Sequence, residues 1–208
     1  MEKALVIEST GAELQAMFNR NDPDRAVIIS HPHPLYGGNM DNPVVTAVEQ
    51  AFAKAGFSTL RFNFRGTGSS TGRFDEGKGE QDDVRASFAW LEKHGYRDIM
   101  LAGYSFGAKI NSLVVSKGCR VRDHIMVSPP VGFMSFDDIR KMPCTGLIVT
   151  GSDDTIAPPD LIQAHIRRWG INPVYRIISG CDHFYNGDGL LHLKSILTDY
   201  LSGMLTDF

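Results

Sequence analysis

The residues best suited to chemistry lie in the pentapeptide Gly103-Tyr104-Ser105-Phe106-Gly107. It follows an apolar stretch, Ile99-Met100-Leu101-Ala102, that reads as a strand, and it opens a stretch with helical periodicity. A G-x-S-x-G sequence between strand and helix puts its serine on a sharp turn, with glycines two before and two after so that backbones can approach closely. A serine hydroxyl is a poor nucleophile unless a base takes its proton and a third group orients that base. Two later segments offer these partners, Gly151-Ser152-Asp153-Asp154 and Asp182-His183-Phe184. The order Ser105, acid, His183 then matches a serine nucleophile activated by a histidine and held by an aspartate. A turn starting at Gly151 and reaching back to the histidine favours its fourth residue, Asp154, and leaves Asp153 and Asp182 as turn carboxylates.

The oxyanion formed in acyl transfer needs preorganised N–H donors. The Phe106 amide, next after the nucleophile, is the expected first donor. The second is expected from Ser30-His31-Pro32-His33-Pro34, which follows another apolar strand. Pro32 and Pro34 have no N–H, so the donor must be His33, Leu35 or a neighbour, with His33 favoured. His31-x-His33 also has the form of a zinc-binding pair, the basis of a rival reading as a metal-dependent hydrolase. No third and fourth ligand follows at the usual spacing, so the expectation is no metal and no cofactor. His94, His124, His165 and His192 are placed on helices or helix ends and read as surface or packing residues.

The elements that must position these groups alternate along the chain. Ala4–Glu8 and Glu13–Phe18 read as a hairpin turning at Gly11. Strands are expected at Ala26–Ser30, Ser58–Phe64, Asp98–Gly103, His124–Ser128, Gly146–Thr150 and Val174–Ser179. Helices are expected from Pro43 to Ala55, Glu80 to Lys93, Phe106 to Ser116, Asp160 to Trp169 and Leu190 to Met204. Such alternation predicts an α/β fold, a doubly wound and mostly parallel sheet with helices on both faces. Ser105, Asp154 and His183 each follow a strand, so all three are expected at the carboxyl edge of the sheet, where open α/β sheets bind ligands. The loop Gly66–Gly72 is followed by further loop rather than a helix and holds no Gly-Lys-Ser/Thr, so it reads as a turn and not a nucleotide site. Arg65 beside it is expected to pair with Glu80, Asp82 or Asp83.

Composition limits the partners. The 208 residues suit one domain spanning 1–208. A formal net charge of −3 with scattered Lys and Arg argues against nucleic acid. Cys119, Cys144 and Cys181 form no disulfide framework, and the N-terminus lacks a signal-peptide run. No apolar stretch is long enough to span a membrane, and the expected location is cytoplasmic. The expected partner is a small ester or thioester, bound by a monomer or homodimer.

Beyond these local readings, the segments His31–Asn42, Phe62-Asn63-Phe64-Arg65-Gly66 and Gly103–Gly107 resemble the α/β-hydrolase superfamily. More narrowly the chain resembles small dienelactone-hydrolase-like serine hydrolases that carry a His-Pro-His-Pro segment. The resemblance implies a sheet of about eight strands, the second antiparallel, and hydrolysis of carboxylic esters or thioesters. Dienelactone hydrolases proper often use cysteine, whereas position 105 is serine, so lactone hydrolysis is not implied. Only Pro129–Thr145 is available for a cap between two strands, room for a short helix near Phe136–Lys141. The site is therefore expected to be lidless, walled by Tyr36, Phe133, Met134 and Phe184. A non-catalytic binding module on the same fold is the remaining alternative, since fold does not imply function.

Overall fold

The computed structural model describes residues 2–206. The chain opens with a hairpin, β1 (Lys3–Ser9) and β2 (Ala12–Asn19), and continues through β3 (Arg25–Ser30), α1 (Pro43–Lys54) and β4 (Ser58–Phe62). There follow α2 (Gly79–Lys93), β5 (Asp98–Tyr104), α3 (Phe106–Ser116), β6 (His124–Val127), β7 (Thr145–Gly151), α4 (Pro159–Trp169), β8 (Val174–Ile178) and α5 (Gly189–Thr206). The strands form one sheet in the order β1-β2-β4-β3-β5-β6-β7-β8. Strand β2 runs antiparallel to both β1 and β4, and the remaining neighbours are parallel, as expected.

Local sequence accounts for the main boundaries. Asn42 caps α1 by accepting the Val44 N–H at 2.9 Å, and Pro43 occupies the first turn, where its missing N–H costs nothing. Ala26–Ile29 of β3 are fully buried, as a strand covered on both faces must be. The side chains alternate between two cores. Ala26, Ile28 and Leu101 pack with α2, α3 and α4, whereas Val27, Ile29 and Met100 pack with α1 and α5.

Register decides what shares an edge. Ser30 pairs with Gly103, Tyr104 with Val127, and Gly151 with Ile178. The residues next after these strands therefore emerge side by side at one edge of the sheet. That edge carries Ser105, Ser128, Asp154 and His183, together with the turn that starts at His31.

Three expectations are corrected. No helix forms over Phe136–Lys141; the segment holds a single turn, closed by the Ile139 N–H on the Phe136 carbonyl at 3.1 Å. The Ser135 hydroxyl takes the Asp137 N–H, and the carboxylates of Asp137 and Asp138 pair with Arg168 and Lys109 on two different helices. Such local side-chain bonds compete with helix formation. Strand β4 ends at Phe62 rather than Phe64, because the Phe64 N–H turns to the His31 ring. His124 opens β6 and is fully buried, not on a helix, and burial pushes its imidazole down to about 3. Of the candidate partners for Arg65, the structure selects Asp83, at 2.7 Å.

Candidate active site

Ser105 sits between β5 and α3 with φ of 53° and ψ of −117°, a conformation that a side chain rarely adopts. The turn is possible because its neighbours are small. A Cβ on Gly107 would lie 2.3 Å from the Ser30 carbonyl oxygen, so only glycine lets α3 approach β3 this closely.

His183 bridges the other two predicted groups. Its Nε2 stands 2.9 Å from the Ser105 hydroxyl, and its Nδ1 stands 2.9 and 2.8 Å from the two Asp154 carboxylate oxygens. A carboxylate only accepts hydrogen bonds, so the Nδ1 proton points to Asp154 and the bare Nε2 faces the serine hydroxyl. That tautomer is the one in which an imidazole can take a proton from Ser105. All three side chains are nearly dry. Burial is the largest influence on Asp154 and pushes its carboxyl upward. The bond and charge of His183, the Ala157 N–H and the Ser128 hydroxyl outweigh it, so the group lies below the usual carboxylate range. Asp153 is exposed and its carboxylate accepts the Ser152 hydroxyl, whereas Asp182 accepts the N–H groups of Phe184 and Asn186.

The His31–Pro34 segment divides its histidines between two tasks. His31 is fully buried; its Nδ1 donates to the Pro32 carbonyl at 2.6 Å and its Nε2 accepts the Phe64 N–H at 3.0 Å. Both ring nitrogens are occupied by backbone, and burial pushes the imidazole down to about 4. His31 therefore ties the turn to the end of β4, and the pairing of His31 with His33 as metal ligands has no geometric support. The His33 ring lies half-buried against Tyr36, Phe74 and Phe106, and its Nδ1 accepts the Leu35 N–H at 3.2 Å. Its carbonyl accepts the N–H groups of Tyr36 and Gly38. A Cβ on Gly38 would meet the Pro32 oxygen at 2.1 Å, so the fold-back of this turn also requires glycine. Among the described residues no cluster of three or more His, Cys, Asp or Glu side chains could hold a metal ion.

Ser105 and His183 open onto a cleft of about 570 Å³. All four predicted wall residues, Tyr36, Phe133, Met134 and Phe184, line it. Sequence reasoning missed Pro130 and Ile156 on its walls. It also missed three residues behind the reacting groups. The Tyr104 hydroxyl donates to the His183 carbonyl at 2.7 Å, and the Ser128 hydroxyl lies 2.9 Å from that of Tyr185. Ser128 carried a signal of its own, as the last residue of the stretch His124–Ser128 that reads as a strand. Tyr104 and Tyr185 carried no such signal. No helix among the described residues is long and apolar enough to cross a membrane.

Fold and site together define a hydrolase of the α/β-hydrolase superfamily. A family model described as X-Pro dipeptidyl-peptidase (S15 family) matches residues 13–155, which include Ser105 and Asp154, and the chain belongs to that family. An uncharacterized protein of Rickettsia prowazekii is 35% identical over 184 residues, covering 84% of this chain and 77% of its own. Among solved structures, an α/β serine hydrolase homologue from Coxiella burnetii is 38% identical, with a TM-score of 0.87 over 95% of this chain and 96% of that one. An α/β serine hydrolase without a lid from Xanthomonas campestris is 29% identical, with a TM-score of 0.90 over 100% and 96%.

Proposed function

We propose that the protein hydrolyses carboxylic ester or thioester bonds of small acyl substrates through an acyl-enzyme on Ser105. The observation that carries the reading is the 2.9 Å contact of Ser105 with a His183 whose other nitrogen is held by Asp154, at the floor of an apolar cleft. His183 Nε2 takes the Ser105 proton as the oxygen attacks the carbonyl, and Asp154 stabilises the imidazolium. The proton then passes to the departing alcohol or thiol. Water, deprotonated by the same imidazole, releases the acid and restores the serine. The N–H of Phe106, at the start of α3, is the first oxyanion donor. His33 is the second by elimination, since Pro32 and Pro34 lack an N–H and the Leu35 N–H is already bonded to the His33 ring.

The family match favours one further reading, a peptidase that removes X-Pro dipeptides. Such an enzyme must anchor the free ammonium of its substrate, which calls for a carboxylate in the cleft. Among the described residues that line the cleft there is no Asp or Glu, which favours uncharged acyl groups. The two readings separate in one assay set. Kinetics on p-nitrophenyl acetate and butyrate, beside Ala-Pro-p-nitroanilide, should show turnover of the esters and little of the dipeptide. Faster cleavage of the dipeptide would install the peptidase reading. Ser105→Ala should lower kcat by several orders of magnitude, up to about 10⁶-fold by analogy with other serine hydrolases. Absence of Ser105 labelling by a fluorophosphonate in the folded protein would point to a binding module instead.

A further inference from the structure

The fully buried His31 ring makes two hydrogen bonds, and they do different work. A carbonyl oxygen can only accept, so the 2.6 Å contact with the Pro32 oxygen puts the imidazole proton on Nδ1. The Phe64 N–H, donated to Nε2 at 3.0 Å, requires the same tautomer. The bond to Phe64 alone would tie the turn to the end of β4. The bond to Pro32 joins adjacent residues and ties nothing distant; what it fixes is the rotation of one peptide plane. That plane also carries the His33 N–H. It is trans, as are all peptide bonds among the described residues, and planar, so its C=O and N–H point in opposite directions. Among the described residues the His33 N–H makes no hydrogen bond within the protein. Pro32 and His33 both line the cleft, together with Ser105 and Phe106. The far side of the same turn is held as well, by the Met40 N–H on the Asn63 side chain at 2.8 Å.

We propose that His31 is a positioning residue for the oxyanion site: by holding the Pro32 carbonyl it aims the His33 N–H of the same peptide into the cleft. This rests on the serine-hydrolase reading above and on its choice of His33 as second donor. The bond also has an electrostatic effect. A peptide whose carbonyl already accepts a hydrogen bond is polarised, and its N–H becomes a stronger donor. The chain runs from the Phe64 N–H through the His31 ring to the Pro32–His33 peptide, and ends at the oxyanion that forms on the substrate. Every proton direction along it is set by a group that can only donate or only accept. The ring itself is fixed by packing, edge-on against Phe64 at 4.8 Å, and Phe64 in turn meets the ring of Phe106 at 5.5 Å. The residues of both proposed donors are thus braced against one buried aromatic.

Two variants separate aiming from tying. The amide N–H of His31→Asn stands about where Nδ1–H stood and keeps the bond to Pro32, whereas the longer His31→Gln carries its carbonyl towards the Phe64 N–H and gives up Pro32. On p-nitrophenyl butyrate His31→Gln should lose roughly 10²-fold in kcat, the scale of one oxyanion donor, with KM changed less than about threefold. His31→Asn should stay within about tenfold of wild type. Equal losses, or the reverse order, would overturn the proposal, because a strut to β4 needs the Phe64 bond instead. NMR on the wild-type protein decides even if neither variant folds. The probe is a trifluoromethyl ketone, to whose carbonyl carbon the Ser105 oxygen adds while its proton passes to His183. In the adduct the His33 amide proton and the His31 Nδ1 proton should both move downfield. A His33 amide that moves beside an unmoved His31 proton would overturn the role of His31 and leave the donor standing. An unmoved His33 amide would overturn the donor assignment, and retained activity in Ser105→Ala the serine reading itself, so the three failures are distinguishable.

Discussion

Both carboxylate oxygens of Asp154 face one nitrogen of His183, at 2.9 and 2.8 Å, although 29 positions separate the residues in sequence. The contact exists because β7 and β8 pair in parallel from Leu147–Val174 through Gly151–Ile178, which brings the two following turns together. A carboxylate so placed fixes the imidazole tautomer.

Asp154→Asn should leave the fold intact and lower kcat by roughly 10⁴-fold, because an amide no longer fixes the productive tautomer. Asp153→Asn, at an exposed turn, should change kcat by no more than a few-fold. Steady-state kinetics on p-nitrophenyl butyrate check the pair. Equal losses in the two variants would sink the assignment of the acid.

The cleft should select by apolar contact. Phe133 is 59% exposed and its ring lies 6.1 Å from that of Tyr36 across the mouth. Phe133→Ala removes apolar surface from this wall, and a loss of about 1 kcal/mol of contact raises KM roughly fivefold. The rise should be larger for hexanoate than for acetate esters. An acyl-length preference identical to wild type would place the substrate elsewhere.

Gly107 should tolerate no side chain. The added Cβ of Gly107→Ala would meet the Ser30 carbonyl at 2.3 Å, and backbone cannot move aside as a flexible side chain can. Overpacking of this kind costs about 3 kcal/mol, a fall in Tm of roughly 10 °C at this chain length. Calorimetry on the purified variant reads it directly, and an unchanged Tm would contradict the close approach of α3 to β3.

Stability should depend on Asp123 with a defined sign. Burial raises its carboxyl from 3.8 to about 6, although the Tyr200 hydroxyl and the His124 and Gly146 N–H groups pull it down. The folded state therefore holds this proton more tightly than the unfolded chain does. The stabilisation is complete below about pH 4 and is lost as pH rises through about 6. Asp123→Asn carries no such charge, so the Tm of the variant minus that of wild type should grow between pH 4.5 and pH 8. A constant difference would show that Asp123 does not titrate in this window.

Much of this molecule is set by local sequence. The glycines around Ser105 and the alternation of apolar runs with helical periods act over a few residues, and the order of serine, aspartate and histidine is visible along the linear chain. Each could therefore be read without knowing what lies across the sheet. Even there, Phe136, Ile139 and Met142 carry a helix-like spacing and are buried without forming a helix, because ion pairs to α3 and α4 hold their neighbours. What only the tertiary structure decided is direction. Register brings Gly151 level with Ile178, and from there Asp154, which the turn already favoured, turns inward to meet His183. Packing buries His31 against Phe64 and so makes it a strut, while the neighbouring His33 lines the cleft. The meeting of Tyr185 with Ser128, 57 positions apart, depends on two strained backbones that no spacing announces. Periodicity is a property of neighbouring residues, whereas the aim of a side chain depends on everything packed around it.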